Sequence, residues 1–131
     1  MSLDENLVRL AGGANVATVV TLMPDGQPQA QLRWVDLEGD EVLVNTEPQR
    51  QAARNVRRDP RITILIRAED NPYDWVEVRG RVVRTTSGAA AREHIDRLAR
   101  KYTGGDYAMP IGAEGRVILH VVPDRLVSSG N

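Results

Sequence analysis

Three runs suited to β-structure follow one another between Val16 and Asn45, and the punctuation between them leaves few ways to fold. Val16 to Met23 is rich in β-branched residues and ends in Pro24-Asp25-Gly26, where proline fixes φ at the first central position of a turn and glycine supplies positive φ. Gln27 to Asp36 reads as a second strand, with Ala30, Leu32 and Trp34 on one face and Gln29, Gln31, Arg33 and Val35 on the other. Glu38-Gly39-Asp40 turns the chain into a third, Val42 to Asn45. Connections this short join antiparallel neighbours, so the spacing predicts a three-strand meander.

Further strands are predicted over Arg61 to Arg67, Trp75 to Thr85, Arg116 to Val122 and Arg125 to Val127, the last two separated by Pro123-Asp124. Gly80 falls in the middle of the Trp75 strand and marks a bulge or sharp bend. Glu77, Arg79 and Arg81 on alternate positions of that strand form a solvent-facing ladder of charges. Ala68 to Asp74, with Asn71-Pro72, and Gly105 to Gly115 read as loops. A short N-terminal helix is expected on Leu3, Leu7, Val8 and Leu10, stopped by Gly12-Gly13. A longer one is expected from Gly88 to Tyr102, capped by Ser87 and ended by Thr103-Gly104-Gly105. There is no regular βαβ alternation. The pattern therefore predicts one mainly β (α+β) domain over residues 1–131: a small antiparallel barrel of six to seven strands with two to three helices on its rim.

A third helix is expected from Pro48 to Arg58, broken from the next strand by Asp59-Pro60. Thr46 is placed to cap it and Gln49, three residues on, completes the T-x-x-Q pattern of a capping box. Free N–H groups and the positive end of the helix dipole would collect there, which suits an anion. Ala52, Ala53 and Val56 make a small apolar stripe that lets the helix lie close to a sheet. Arg50, Arg54 and Arg57 recur on the other side, facing solvent or a ligand, and on the residues alone solvation is the better account.

Composition excludes several functions. Cysteine is absent, so disulfides, a thiol nucleophile and thiolate metal sites are out, and a cytoplasmic protein is expected. A formal net charge of −1 gives no whole-molecule case for nucleic acid. No segment has the ~20 apolar residues of a membrane span, and the acidic N-terminus is unlike a signal peptide. His94 and His120 have no ligand-spaced partner and read as structural or exposed. Trp34 and Trp75 read as core or interface packing at least as readily as a stacking surface. With no catalytic acid, base or nucleophile evident, an enzyme would depend on a cofactor.

The order of short motifs carries a resemblance. Thr21 to Gln29 (TLMPDGQPQ), Trp34 to Asp36 (WVD), Val42 to Thr46 (VLVNT), Ala53 to Arg61 (ARNVRRDPR), Asn71 to Val82 (NPYDWVEVRGRV) and Ile95 to Gly104 (IDRLARKYTG) together resemble the coenzyme F420 (deazaflavin)-dependent branch of the pyridoxamine 5'-phosphate oxidase-like, FMN-binding split β-barrel proteins. The resemblance implies a homodimer with cofactor sites at the subunit interface, and an oxidoreductase that passes hydride from reduced F420 to an unsaturated small-molecule substrate. It implies that the cofactor phosphate is held by Asn45, Thr46, Arg50, Gln51, Arg54 and Asn55, that Gln29, Gln31 and the strand to Arg33 line the ring, and that Trp75 or the loop before it reaches across the interface.

Relatives of this branch usually read GRQKARN. Here Gln49 stands in place of the glycine and Ala52 in place of the lysine. Losing that point charge, with Glu47 nearby, would weaken anion binding at this spot. FMN as the cofactor, an FMN-dependent pyridoxamine-phosphate-oxidase-like enzyme, and a non-catalytic binding protein for F420, FMN or a related ligand are the alternatives.

Overall fold

Ile62, Ile64 and Ile66 alternate with Thr63, Leu65 and Arg67, and the strand they form, β5 (Arg61–Ala68), buries the isoleucines and turns the others outward. In this computed structural model, which describes residues 4–129, that strand belongs to a seven-stranded antiparallel sheet. The other strands are β1 (Ala17–Leu22), β2 (Pro28–Arg33), β3 (Val35–Glu38), β4 (Glu41–Thr46), β6 (Asn71–Ser87) and β7 (Val117–Ser128). They lie in the order β2-β1-β5-β6-β7-β4-β3. Val19, Val35, Val44, Ile64, Val78, Leu119 and Val121 meet in one interior core.

This order corrects the expected meander. β2 pairs with β1 and β3 with β4, but β2 and β3 occupy opposite edges of the sheet. What reads as one strand from Gln27 to Asp36 is two, divided at Trp34. Arg33 and Val35 are two residues apart and so at most ~7 Å, which forces the two edges to meet there. The sheet therefore rolls into a barrel whose seam is a single residue. The alternating pattern runs on through Trp34, so nothing local announces the change of partner.

β2 carries a second consequence. Gln29, Gln31 and Arg33 are cross-strand partners of Thr21, Val19 and Ala17, which face the core. The polar face of β2 is thus the inward one, and Leu32 is left 68% exposed outside.

Helix α1 (Glu5–Gly12) is capped by Asp4, whose Oδ1 accepts from the N–H groups of Asn6 (2.9 Å) and Leu7 (3.0 Å). It drives Leu7, Leu10 and Ala11 into one end of the barrel; Leu3 lies outside the described residues. Helix α2 (Gln51–Arg58) begins three residues later than expected, with Arg50 at its cap position and no side-chain cap. The capping box does not form because Thr46 is the last rung of β4, paired with Val117, and only 2% exposed. Ala52, Ala53 and Val56 are buried as the stripe predicts. Helix α3 (Ala89–Thr103) covers the outside of β4 and β7 through Leu43, Ala91 and Ile118. Its cap position is Gly88 rather than Ser87, which is still paired with Val117 in the sheet. Gly104 ends it in the left-handed conformation (φ 88°).

The bulge at Gly80 is present, and there a Cβ would stand 2.3 Å from the carbonyl oxygen of Val122. Pro123 faces Gly80 where the register shifts, a place that tolerates a residue without an N–H, so β7 runs on unbroken instead of splitting in two. The expected loop from Ala68 to Asp74 contracts to a turn at Glu69 and Asp70, with Ala68 opposite Asn71. Arg79 bonds Glu77 at 2.8 Å and Arg81 bonds Asp124 at 2.8 Å, the exposed ladder of charges read from the sequence.

Candidate functional site

At the seam, a cleft of about 280 Å³ is lined by Leu32, Arg33, Trp34, Asn45, Tyr107 and Arg116, among others. Trp34 is fixed there by stacking on Tyr102 at 5.3 Å and by the edge of Tyr107 at 6.2 Å. Tyr102 in turn gives its hydroxyl proton to the carbonyl of Asn15 at 2.7 Å. Lys101 donates to the carbonyls of Val35 (2.6 Å) and Ala11 (2.9 Å), so the end of α3 is tied to the start of β3 and to α1. The seam is held from behind.

Arg116 enters from the residue before β7 and is only 8% exposed. Its Nε donates to Oδ1 of Asn45 at 2.9 Å, Nη1 reaches Glu47 at 3.3 Å, and its guanidinium lies 5.2 Å from the Tyr107 ring centroid. Asn45 donates to the carbonyl of Ala91 and to Nδ1 of His94, both at 3.0 Å. An amide N–H needs an acceptor, so Nδ1 of His94 is unprotonated and Nε2 carries the ring proton. That Nε2 is buried without a hydrogen-bond partner, 3.8 Å from Asp36.

Arg33 and Arg116 line the cleft, and Arg50 meets Arg116 at Oε1 of Glu47, at 3.2 and 3.3 Å. Burial lowers Arg33 below its ordinary value and the charges of Arg50 and Arg116 push it further. Burial does the same to Arg116, with Arg50 adding to it, while Tyr107 and Glu47 oppose. Glu47 is the nearby carboxylate: burial alone would raise it, but Arg50 holds it below its usual range. Three cations against one anion, partly withdrawn from water, form a place where an anionic ligand relieves repulsion.

The residues implied by resemblance divide into groups. Asn45 lines the cleft, and Arg50 is near enough to act on Arg33 and Arg116. Gln31 accepts from Arg33 Nη2 at 2.5 Å. The Oε1 of Gln29 and the Oγ1 of Thr46 are buried without partners, acceptors that protein atoms leave unsatisfied. Asn55 is fully buried and ties α2 to β1, donating to Thr21 Oγ1 at 3.0 Å while accepting from Gln51 at 2.8 Å. Arg54 is exposed and bonds Gln51. Trp75 is on the outer face of the sheet in a separate hollow with Leu65, Arg67 and Val127. Ala52 is buried against the sheet, so the helix supplies no cation at that point.

Sequence reasoning missed Arg116. Its one signal is position: a lone arginine between Gly115 and a wholly buried run, Val117 to Val121. The donor set of arginines, amides and flanking aromatic rings fits a ligand with an anionic end and a planar ring.

Residues 3–128 match the pyridoxamine 5'-phosphate oxidase family. Among solved structures, one described as an F420 reductase is similar with 27% identity and a TM-score of 0.83 over 95% of this chain and 98% of that one. A conserved hypothetical protein of Mycobacterium tuberculosis is similar in fold, at 24% identity and a TM-score of 0.76, over 98% of this chain and 86% of that one. General stress protein 26 of Bacillus anthracis str. Sterne is also similar in fold, at 17% identity and a TM-score of 0.74, over 98% of this chain and 95% of that one.

Proposed function

Because the chain belongs to the pyridoxamine 5'-phosphate oxidase family, we propose that it is an oxidoreductase that binds coenzyme F420 at the seam and reduces an unsaturated small molecule. The observation that carries this reading is that Arg33 and Arg116 line the cleft beside Trp34 and Tyr107, with Arg50 joined to Arg116 through Glu47. The likeness to a protein described as an F420 reductase supports the deazaflavin over FMN. When bound, a reduced deazaflavin supplies a hydride and the protein supplies position and electrostatics.

On this reading Arg33, Arg50 and Arg116 hold the anionic groups, replacing the helical lysine for which Ala52 leaves no equivalent. Gln29, Gln31, Asn45 and Thr46 present polar groups that orient the ligand. Trp34 and Tyr107 wall the cleft from water, and Gln51, Arg54 and Asn55 shape the helix that carries the site. We also infer a homodimer through the outer sheet face, where Leu32 (68% exposed) and Leu65 (41% exposed) accompany Trp75 and Val127. In that dimer Trp75 would face the partner, away from its own cleft. No helix among the described residues is long and apolar enough to cross a membrane, and we propose a cytoplasmic location.

The test is a fluorescence titration with F420 and, separately, with FMN. Saturable binding of F420 at tens of micromolar or tighter, followed by oxidation of reduced F420 with an unsaturated acceptor, is the expected result. Preference for FMN would reassign the cofactor, and binding without turnover over a broad acceptor panel would make the chain a carrier. Binding of neither overturns the reading.

A further inference from the structure

The hydroxyl of Thr86 sits 2.7 Å from Nε2 of His120, and Nδ1 of the same ring is 3.2 Å from Oε1 of Glu41. Arg84 grips both oxygens of Glu41, at 2.6 and 2.8 Å, and this more than the contact with His120 holds the carboxyl below its ordinary range. An ionised carboxylate only accepts, so Nδ1 carries a proton, and in the neutral ring Nε2 presents its lone pair to the Thr86 hydroxyl. The direction of the chain is hydroxyl to imidazole to carboxylate. That is the arrangement of a nucleophile, its general base and the group that orients the base.

These side chains are not part of the seam site. Thr86 and His120 open into a different cavity, of about 360 Å³, which shares no lining residue with the seam cleft. Leu43, Ala90 and Ile118 give it an apolar floor. Ala90 is the second residue of α3, a fifteen-residue helix whose cap position, Gly88, offers no side chain to its first-turn N–H groups. Ala90 thus brings the uncapped first turn of α3 to the same cavity as the hydroxyl.

We propose that Thr86, His120 and Glu41 form a second, cofactor-independent site that hydrolyses small esters with short acyl chains. The Thr86 oxygen bonds to the ester carbonyl carbon while its proton passes to His120 Nε2. The carbon–alkoxy bond then breaks, and the leaving alcohol takes that proton. Water, deprotonated by the same nitrogen, releases the acid and restores the hydroxyl. No electron is gained or lost. The apolar lining is limited to three side chains beside the charged Glu38, Glu93, Arg97 and Arg100, which suits an acetyl group better than a long chain.

The experiment uses the full chain with no flavin added and p-nitrophenyl acetate as the probe. A burst of nitrophenol approaching one per chain is expected, with an acetyl group on the peptide that contains Thr86. Thr86→Val, which keeps the shape and removes only the hydroxyl, should abolish both, and Thr86→Ser should retain them. His120→Gln should slow acylation by ~10²-fold or more, the usual contribution of a general base. If His120→Gln does not fold, Thr86→Val decides alone. Acetyl on other residues only, or hydrolysis unchanged in Thr86→Val, overturns the proposal and leaves the trio as a packing network. Loss of F420 binding would leave this result untouched, since the two sites share no residue.

Discussion

Asn45 holds Arg116 in the seam: its side-chain oxygen accepts from Nε at 2.9 Å, and its backbone oxygen takes a longer bond from Nη2 at 3.4 Å. The same amide spends its N–H groups on Ala91 and His94, so one buried residue joins β4, α3 and the arginine. Replacing Asn45 by Leu should leave the Arg116 Nε–H and the His94 Nδ1 unsatisfied. The expected cost is about 1–3 kcal/mol of stability for each buried group left unpaired, read from urea unfolding. Asn45→Asp should keep the arginine contact and lose those to Ala91 and His94.

Arg33 and Arg116 should dominate anion affinity, with Arg54 secondary because it is exposed and bonds Gln51. Arg116→Met and Arg33→Met should each weaken binding of F420 by about 1.5–3 kcal/mol, the scale of a charged hydrogen bond, with the fold intact. Fluorescence titration of each variant measures this. Equal losses in Arg54→Met would move the anion toward the exposed face of α2.

Asn55 is fully buried and its amide donates to Thr21 at 3.0 Å, so its first effect should be on stability. Asn55→Ala is expected to cost about 1–3 kcal/mol. Thr21→Val should cost less, and the double variant should fall short of the sum, because both remove one bond. Thermal unfolding of the three proteins reads the cycle.

Gly80→Ala forces a methyl to 2.3 Å from the Val122 carbonyl in the longest strand pairing of the sheet. Backbone cannot yield there as a flexible side chain would. A loss of about 1–3 kcal/mol or more, or failure to fold, is expected by denaturant titration.

Asp59 should set part of the acid response. Its carboxylate accepts from the side chain of Arg61 at 2.7 and 3.1 Å and from the Arg61 N–H at 3.2 Å, which lowers its pKa from 3.8 to about 2. A depressed folded-state pKa means stability present above the unfolded value and lost as pH falls through the folded one. The melting temperature should therefore drop between about pH 4 and pH 2, and Asp59→Asn should flatten that part of the profile.

Much of the barrel was legible in local chemistry. Gly80 announced its bulge, Gly104 its helix end, and the isoleucines of β5 their inward face. Thr46 and Ser87 were misread for a shared reason. Each is a good cap in isolation, but each sits on the last rungs of a strand, where ladder hydrogen bonds fix the backbone first. Of the cofactor residues expected by resemblance, Asn45 is in the seam cleft, while Trp75 is on the outer face.

The sequence by itself determined the β-rich class, the positions of most turns and the inward residues of β5 and α2, because these follow from side-chain period and backbone preference over a few residues. Only the tertiary structure decided that β2 and β3 part at Trp34, that the polar face of β2 turns inward, and that Arg116 joins Arg33 and Arg50. Partner choice in a sheet is a long-range property. Arg33 and Arg116, about twenty residues before Ala52 and sixty after it, line one cleft because the rolled sheet's two edges meet at one residue.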